Sequence, residues 1–531
     1  MQSKLLIDIA ALSLRTLCSG EARHFQRYLT QPKEAQTQLL GTLVQDLART
    51  AYGRKHGIKG NENYNAFAAK LPIQTYESLE PWIQEQINTG QAILTPHKVI
   101  HVEPTSGSSG PVKYIPYTPQ LLQSFTNMFK IWAYDQLRYG FKPETGRIFM
   151  SISPPSGDSG FFDEREYLKE PLRSLISPFL VLPPGKIDRD DFRQALALTL
   201  LQEQRLEIIS IWSPSYLLVL LNYIESNRNI LTGLLPSNRR THLLSKRIYW
   251  ETVWPNLKII SCWDNALAEP LANQLRAMFP HVQIQGKGLL ATEAPITVPL
   301  VSVSGHVPLV RDVFLEFETE NGQMKCLHEL VEGEQAQVIL TQQGGLTRYQ
   351  LHDLIEVRGF YQKTPTLAFI GRMNQVCDLT GEKLSESFIC QALLPLMPSG
   401  YFLVVPNQDK RPGYILLTSQ NQDNLSQKAD LALSQAYHYR LARKLGQLAP
   451  LQVIYIPDLL SRVLTFHQFE GMKLGNIKDT TLIHDPEKGN RLLAFLNGSA
   501  HKLQQLPVEP ETQTPLPPPV HQQASPFPVG A

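Results

Sequence analysis

Apolar positions in RHFQRYL and TQLLGTLVQDLARTAYGRKHG recur at helical spacing, which predicts a helical lead-in over about residues 21–60 with Gly53 and Gly57 as stop signals. The stretch before it, MQSKLLIDIAALSLRTLCSG, carries one lysine and an apolar run interrupted by Asp8, and reads as an amphipathic helix rather than a signal peptide. After residue 145 the texture changes. RIFMSIS predicts a strand, DRDDFRQALALTLLQEQ a helix with Asp188 as its cap, and RLEIISIW a second strand. The alternation repeats in NLKIISCW (256–263), ALAEPLANQLRAMF (266–279) and HVQIQGKGLL (281–290), a strand, helix, strand unit of the kind that builds parallel sheets.

From 308 to 360 the pattern becomes antiparallel: VFLEFET and MKCLHEL flank ENGQ, and QAQVILTQ and LIEVRGFY flank QGGLTRYQLHD, which predicts hairpins. Beyond FIGRMNQVCDLTGEKL (369–384), helices and strands of a smaller region run to about 503. The rest, 504–531, is proline-rich with few large apolar groups and is expected to be disordered and outside the fold.

A chain of 531 residues exceeds one ordinary core, so one large and one smaller domain are expected. Fifty basic against 48 acidic side chains leave a formal charge of +2, which gives no electrostatic reason for a nucleic acid or an anionic membrane as main partner. The most apolar internal run, SYLLVLLNYI (215–224), is too short to span a bilayer. Cys18, Cys262, Cys326, Cys377 and Cys390 are odd in number and scattered, so neither a disulfide framework nor a zinc site is indicated, and a reducing, cytoplasmic setting fits best.

The stretch HVEPTSGSSGPVKYIPYT (101–118) interleaves small hydroxylated residues with Gly107 and Gly110 and follows them with Lys113. Glycines let backbone N–H groups converge on an anion, hydroxyls donate more hydrogen bonds and a lysine adds charge, which is the chemistry of a phosphate cradle. The alternative is a flexible Ser/Gly linker, but HKVIHV before it and KYIPYT after it are strand-like, which favours a fixed turn between paired strands. His97 and His101 would share one face of an extended segment without helical ligand geometry, so no metal pair is expected there.

TSGSSGPVKYIP resembles the phosphate loop of adenylate-forming enzymes, specifically that of the Gretchen Hagen (auxin-responsive promoter) family of acyl acid amido synthetases. Further signatures of that family follow in order: NLKIISCWDNALAE, QGKGLLATEAPITVPL, HELVEGE, GGLTRYQLHDLIEVRGF and FIGRMNQVCDLTGEKL. The resemblance implies an α/β fold: a large adenylation domain of mixed sheets and flanking helices over 1–371, then a hinge and a small α+β cap domain over 372–503. It implies ATP and Mg²⁺ as cofactors, and small carboxylic acid and amine substrates, the amine an amino acid.

By the same resemblance, Thr105, Ser106, Ser108, Ser109 and Lys113 hold the phosphates, and the loop's composition independently suits that job. Thr292 contacts the nucleotide and Glu293 helps bind Mg²⁺, a hard cation that prefers oxygen ligands. Asp353 accepts hydrogen bonds from the ribose hydroxyls, with Arg348 carried as a further candidate, and Arg372 contacts ribose or phosphate beside a pivot at Asn374. Glu382 and Lys383 of the GEK motif are expected to be structural. In the cap, Lys478 is expected to reach the reacting carboxylate, with Lys473 as competitor. Leu289 stands where relatives in the superfamily often carry an adenine-stacking tyrosine, so an aliphatic floor is expected. The acyl pocket is expected to draw on Phe161, Phe162, Trp212, Tyr216 and Arg165.

The implied reaction is adenylation of a carboxylic acid followed by transfer to an amine. A thioester-forming ligase of the acyl-CoA type shares the first half-reaction, although GMKLGNIKDTTLI departs from the P-K-T-x-x-G-K segment of such ligases. A nucleotide-binding scaffold without catalysis is a third possibility, and the intact Lys113, Glu293, Asp353 and Arg372 speak against it.

Overall fold

The structure, a computed structural model, describes residues 4–105, 113–150, 152–153, 162–163, 169–183, 192–301, 303–372, 376–398, 400–408, 411–470, 472, 477 and 479–498. The proline-rich tail and Asp188 lie outside these residues. The lead-in is helical as its periodicity predicts, in three pieces, Lys4–Tyr28, Pro32–Ala48 and Ala51–Lys55. Gly57 ends it with φ +67°. Gly53 does not: it lies inside Ala51–Lys55, where its N–H donates to the capping Thr50 hydroxyl at 2.9 Å. A Cβ at Gly53 would stand 1.9 Å from the Leu47 carbonyl oxygen, so glycine is there for close approach of backbone to backbone. Gly53→Ala is expected to cost about 1–3 kcal/mol of stability, measured as a lower denaturant midpoint with activity per folded molecule unchanged.

Strands Arg147–Met150, Leu206–Ser210, Ile259–Cys262 and Gln283–Gly286 form a parallel sheet in that spatial order, as the strand, helix, strand pattern predicts. Side-chain alternation gives its faces different characters. Phe149, Ile209, Ile260 and Cys262 share one core cluster with helices Pro214–Ser226 and Glu269–Met278. Register puts Ser210, Ser261 and Gln285 on the opposite face, toward helix Pro119–Asp135, whose Trp132 Nε1–H donates to Gln285 at 2.8 Å. The run SYLLVLLNYI is the middle of Pro214–Ser226 and is buried almost all round, which explains its apolarity without a membrane. No helix among the described residues is long and apolar enough to cross a membrane.

The region read as hairpins is a five-stranded antiparallel sheet in the order Met324–Cys326, Phe314–Thr319, Gln335–Thr341, Tyr349–Tyr361, Thr364–Arg372. The N-terminal helices pack on it in a second core cluster. Buried Gln36 stitches the two together: its Nε2 donates to the Val310 and Val313 carbonyls at 2.8 and 2.9 Å, and its Oε1 accepts from the Leu315 N–H at 2.8 Å.

The C-terminal region has a three-stranded sheet, with Phe402–Asn407 antiparallel and Gln452–Tyr455 parallel to the central Gly413–Thr418. Phe402, Val404, Tyr414 and Leu416 join a local cluster with helices Glu386–Leu393, Leu425–Leu433 and Tyr437–Lys444. Leu403, Val405, Ile415 and Leu417 face the other way and join the cluster of the parallel sheet. The link is helix Leu459–Phe469, which packs on Pro214–Ser226. All five cysteines are buried and free.

Candidate active site

Strand Tyr349–Tyr361 turns Tyr349, Leu351, Asp353, Ile355 and Val357 to its buried face, so Asp353 is a carboxylate on an otherwise apolar stripe. Such a group needs a partner. Arg372, the last residue of Thr364–Arg372, lies directly opposite, and its Nε–H donates to Asp353 Oδ1 at 2.7 Å. The Asp353 carboxylate in turn raises the pKa of the Arg372 guanidinium, with Glu293 adding to the effect.

Residues of the other motifs converge on this pair. The hairpin predicted around the Ser/Gly loop is present, His101–Thr105 against Lys113–Tyr117 in antiparallel register. The strand leaving the loop is tied to the ATE motif, because Tyr117 OH donates to the Thr292 carbonyl at 2.7 Å. The ATE motif is tied to the second hairpin, because Gln342 Nε2 donates to the Glu293 carbonyl at 3.2 Å. Lys113 lies 5.4 Å over the Tyr76 ring. Burial lowers the pKa of His352, and the Lys113 ammonium lowers it further. Burial pushes the Tyr349 phenol far up, with Glu293 the next contributor. Arg372 acts on both of these groups, with Lys113 and Asp353 acting on His352 and Glu293 on Tyr349.

Beside Asp353 and Arg372 opens a cleft of about 950 Å³, its open mouth included. Gly288, Leu289 and Leu290 form one side, and Phe369, Ile370 and Gly371 another. Leu289 is aliphatic and buried, as expected, and its N–H donates to Thr297 Oγ1 at 2.8 Å. Aromatic surface comes from Trp263 and Phe369, which the sequence reading did not single out. The C-terminal region completes the cleft with Glu386, Ser387, Asp479 and Thr480. Glu386 accepts from Thr480 Oγ1 at 2.5 Å and the Thr481 N–H at 2.7 Å, and burial raises its pKa. Asp479 accepts from Ser213 Oγ of the large region at 2.6 Å, and burial pushes its pKa up to about 6. Glu386 stood in no motif, and Asp479, although inside the segment GMKLGNIKDTTLI, was not singled out there.

A second cavity, of about 920 Å³, lies between the parallel sheet and helix Pro119–Asp135. Phe125, Met128, Phe129 and Trp132 form its helix wall, Trp212, Ser210, Ser261 and Lys287 line the sheet side, and Leu290 borders both cavities. Trp212 was expected at such a pocket. Tyr216 was too, but it is 3% exposed in the core cluster of the parallel sheet and does not line the cavity, because Pro214–Ser226 lies on the sheet's opposite face.

Arg348 is a correction. It is 5% exposed, its φ is +46°, and it is held by Glu316 through Nε and Nη2 at 2.8–3.1 Å and by the Ala68 and Leu71 carbonyls at 3.0 and 2.6 Å. It pins the second hairpin to an N-terminal helix and is not on the cleft. Glu382 is structural as expected, accepting from the Leu379 and Thr380 N–H groups at 2.8 Å and from Tyr414 OH. His97 pairs with Asp46 at 2.8 Å and His101 with Glu103 at 2.6 Å, so the two imidazoles serve different partners. Ser106, Ser108, Ser109, Lys473, Lys478, Asn374, Phe161 and Arg165 lie outside the described residues, as do the side chains of Thr105 and Phe162.

Two family domains match the chain: the GH3 family N-terminal domain over residues 21–234 and the GH3 family central domain over 307–372. The chain is 22% identical to the indole-3-acetic acid-amido synthetase GH3.2 of Arabidopsis thaliana, over 68% of this chain and 78% of that protein. It is also 22% identical to the jasmonoyl–L-amino acid synthetase GH3.5 of Oryza sativa subsp. japonica, over 70% of this chain and 76% of that one. The solved structure of the AtGH3.15 acyl acid amido synthetase in complex with 2,4-DB has the same fold, with a TM-score of 0.75 at 17% identity over 90% of this chain and 96% of that chain. A 2-hydroxyisobutyryl-CoA ligase is more distant, with a TM-score of 0.50 at 11% identity over 94% and 93% of the two chains. The ordered motifs and the two matching family domains, which together span more than half of the chain, establish that the chain belongs to the GH3 family.

Proposed function

We propose that the protein is an acyl acid amido synthetase, which activates a carboxylic acid with ATP and passes the acyl group to an amine, an amino acid. The observation that carries this reading is a cleft holding the Asp353–Arg372 pair beside an apolar cavity, with Leu290 on the wall of both. In the first step a carboxylate oxygen of the acid attacks the α-phosphorus of ATP, the bond to the bridging oxygen breaks, and pyrophosphate leaves. In the second the amine nitrogen attacks the acyl carbon, AMP departs, and the nitrogen loses a proton.

The residues have distinct tasks in this scheme. An anion must approach a polyanion, so donors have to be in place before the reaction. The loop of Thr105, Ser106, Ser108 and Ser109 holds the phosphates, with Lys113 at its exit. Thr292 contacts the α-phosphate or another part of the nucleotide. Asp353 offers carboxylate oxygens to the ribose hydroxyls, and Arg372, which donates to it at 2.7 Å, contacts the nucleotide from the same side. Lys478 comes to the reacting carboxylate from the C-terminal region, which begins at the boundary we place between 371 and 372. Among the described residues no group of three or more His, Cys, Asp or Glu forms a ready-made metal cage. Mg²⁺ would be held by Glu293 together with nucleotide phosphates, the usual mode for this ion. Bound there, Mg²⁺ would neutralise phosphate charge. The five free cysteines support a cytoplasmic setting.

The test is ATP–pyrophosphate exchange across a panel of acids, then product analysis with amino acids or with coenzyme A as acceptor. Acid-dependent exchange and an amide product are expected. Exchange that ends in a thioester makes the protein a ligase of the acyl-CoA kind, and no exchange with any acid overturns the reading. Lys113→Ala is expected to slow exchange at least about tenfold, roughly 1.4 kcal/mol, with an unchanged melting temperature.

A further inference from the structure

Helix Lys4–Tyr28 carries apolar residues on two faces. Ile7, Ala10, Ala11 and Leu14 line a cavity beneath the helix, and Cys18 is buried in line with them. At about 3.6 residues per turn, Leu5, Ile9, Leu12 and Thr16 fall on the opposite side. Leu5 is 67% exposed, Ile9 51% and Leu12 55%, and Leu6 beside them is 55% exposed. Single aliphatic groups at a surface need no explanation, but four together on one helix face mark an interaction site.

The charges beside this face say what covers it. Intervals of four, three and four residues from Leu5 to Thr16 are those of a coiled-coil seam, with Asp8 and Arg15 along one flank and Leu6 and Ser13 along the other. Let the same helix of a second copy run antiparallel about a two-fold axis between Ile9 and Leu12. Ile9 then packs on Leu12 of the other copy, Leu5 on Thr16, and Asp8 of each copy comes within reach of Arg15 of the other. The flank carries its own counter-charge, the self-complementarity that a two-fold interface requires. A parallel pair would set Asp8 beside Ser13 and Arg15 beside Gly20, with no charge matched. Asp8 is exposed and Arg15 half-buried, and neither forms an ion pair among the described residues.

We propose that this face of helix Lys4–Tyr28 is a self-association surface, which joins two copies of the chain through antiparallel N-terminal helices. The helix is already held by its inner face, so pairing carries no cost of folding it. The seam over residues 5–16 runs along about 18 Å of helix. Two such stripes bury less than the roughly 1,600 Å² of a standard interface, so the dimer is weak and its population follows protein concentration. None of these side chains lines the nucleotide cleft, so pairing and turnover are separable.

Sedimentation velocity from micromolar to submillimolar protein tests this. The wild type is expected to pass from monomer to dimer as concentration rises. Asp8→Arg and Arg15→Asp each set like charges opposite one another and are expected to weaken association at least about tenfold. An equimolar mixture of the two variants is expected to regain the wild-type extent of dimer, because both contacts of the mixed pair join opposite charges again. Leu12→Glu is expected to abolish the dimer, since it would bury a carboxylate in the seam. Asp8→Lys and Arg15→Glu repeat the exchange of charges if one of the first variants does not fold. A wild type that stays monomeric at every concentration overturns the proposal, and so does a mixture that associates no better than its components. A monomeric wild type that sediments with phosphatidylglycerol vesicles gives the face to a membrane surface and overturns it as well.

Discussion

Glu293→Gln is expected to lower acid-dependent pyrophosphate exchange by about a hundred- to a thousandfold, some 3–4 kcal/mol of transition-state stabilisation, with little change in stability. The group is half-buried at the rim of a turn whose backbone is fixed independently, through the Thr292 and Glu293 carbonyls accepting from Tyr117 and Gln342. Its side chain can therefore change without loosening the turn. The amide keeps size and shape but gives up the charge that attracts a hard cation. The Mg²⁺ concentration for half-maximal exchange should rise as well, a readout that a purely structural role would not move. Exchange at the wild-type rate and the wild-type Mg²⁺ requirement would remove Glu293 from the site.

Arg348→Ala should be the most destabilising single substitution in the second hairpin, costing about 3–5 kcal/mol. It would strand the Glu316 carboxylate, which is fully buried, and leave the Ala68 and Leu71 carbonyls without their donor. Chemical denaturation measures the loss. The double variant Arg348→Met with Glu316→Leu should recover much of it, since removing both charges takes away the unpaired one. If the double variant is no more stable than Arg348→Ala, the packing around the pair matters more than its charges.

These two arginine and glutamate positions show where the sequence is readable. Asp353 and Arg372 were singled out by their motifs alone; their pairing, 19 residues apart on neighbouring strands, comes from an antiparallel register that begins earlier than the sequence pattern indicated, since Asp353 stands inside strand Tyr349–Tyr361 and not in the turn before it. The parallel sheet was legible because its strands are short isoleucine-rich runs separated by amphipathic helices. Arg348 was not legible. Nothing local distinguishes an arginine at a cleft from one that reaches across to Glu316, Ala68 and Leu71, because its partners are 32, 280 and 277 residues away. Glu386 and Asp479 escaped notice likewise: they enter the cleft only because a separate sheet and its helices dock there. Gly53 misled because glycine serves both helix ends and close backbone contacts, and only the position of Leu47 decides between them.

The docking of helix Leu459–Phe469 on Pro214–Ser226 limits how the C-terminal region can move. Val463, Leu464 and Phe466 are buried in the same cluster as Leu217, Leu220 and Leu221. Hydrating even four such side chains would cost on the order of 6–12 kcal/mol, comparable to the whole stability of a domain. A swing that parted the two helices would be close to unfolding. Any change of orientation during turnover is therefore a shear, in which the helices slide along one another while their contact stays dry.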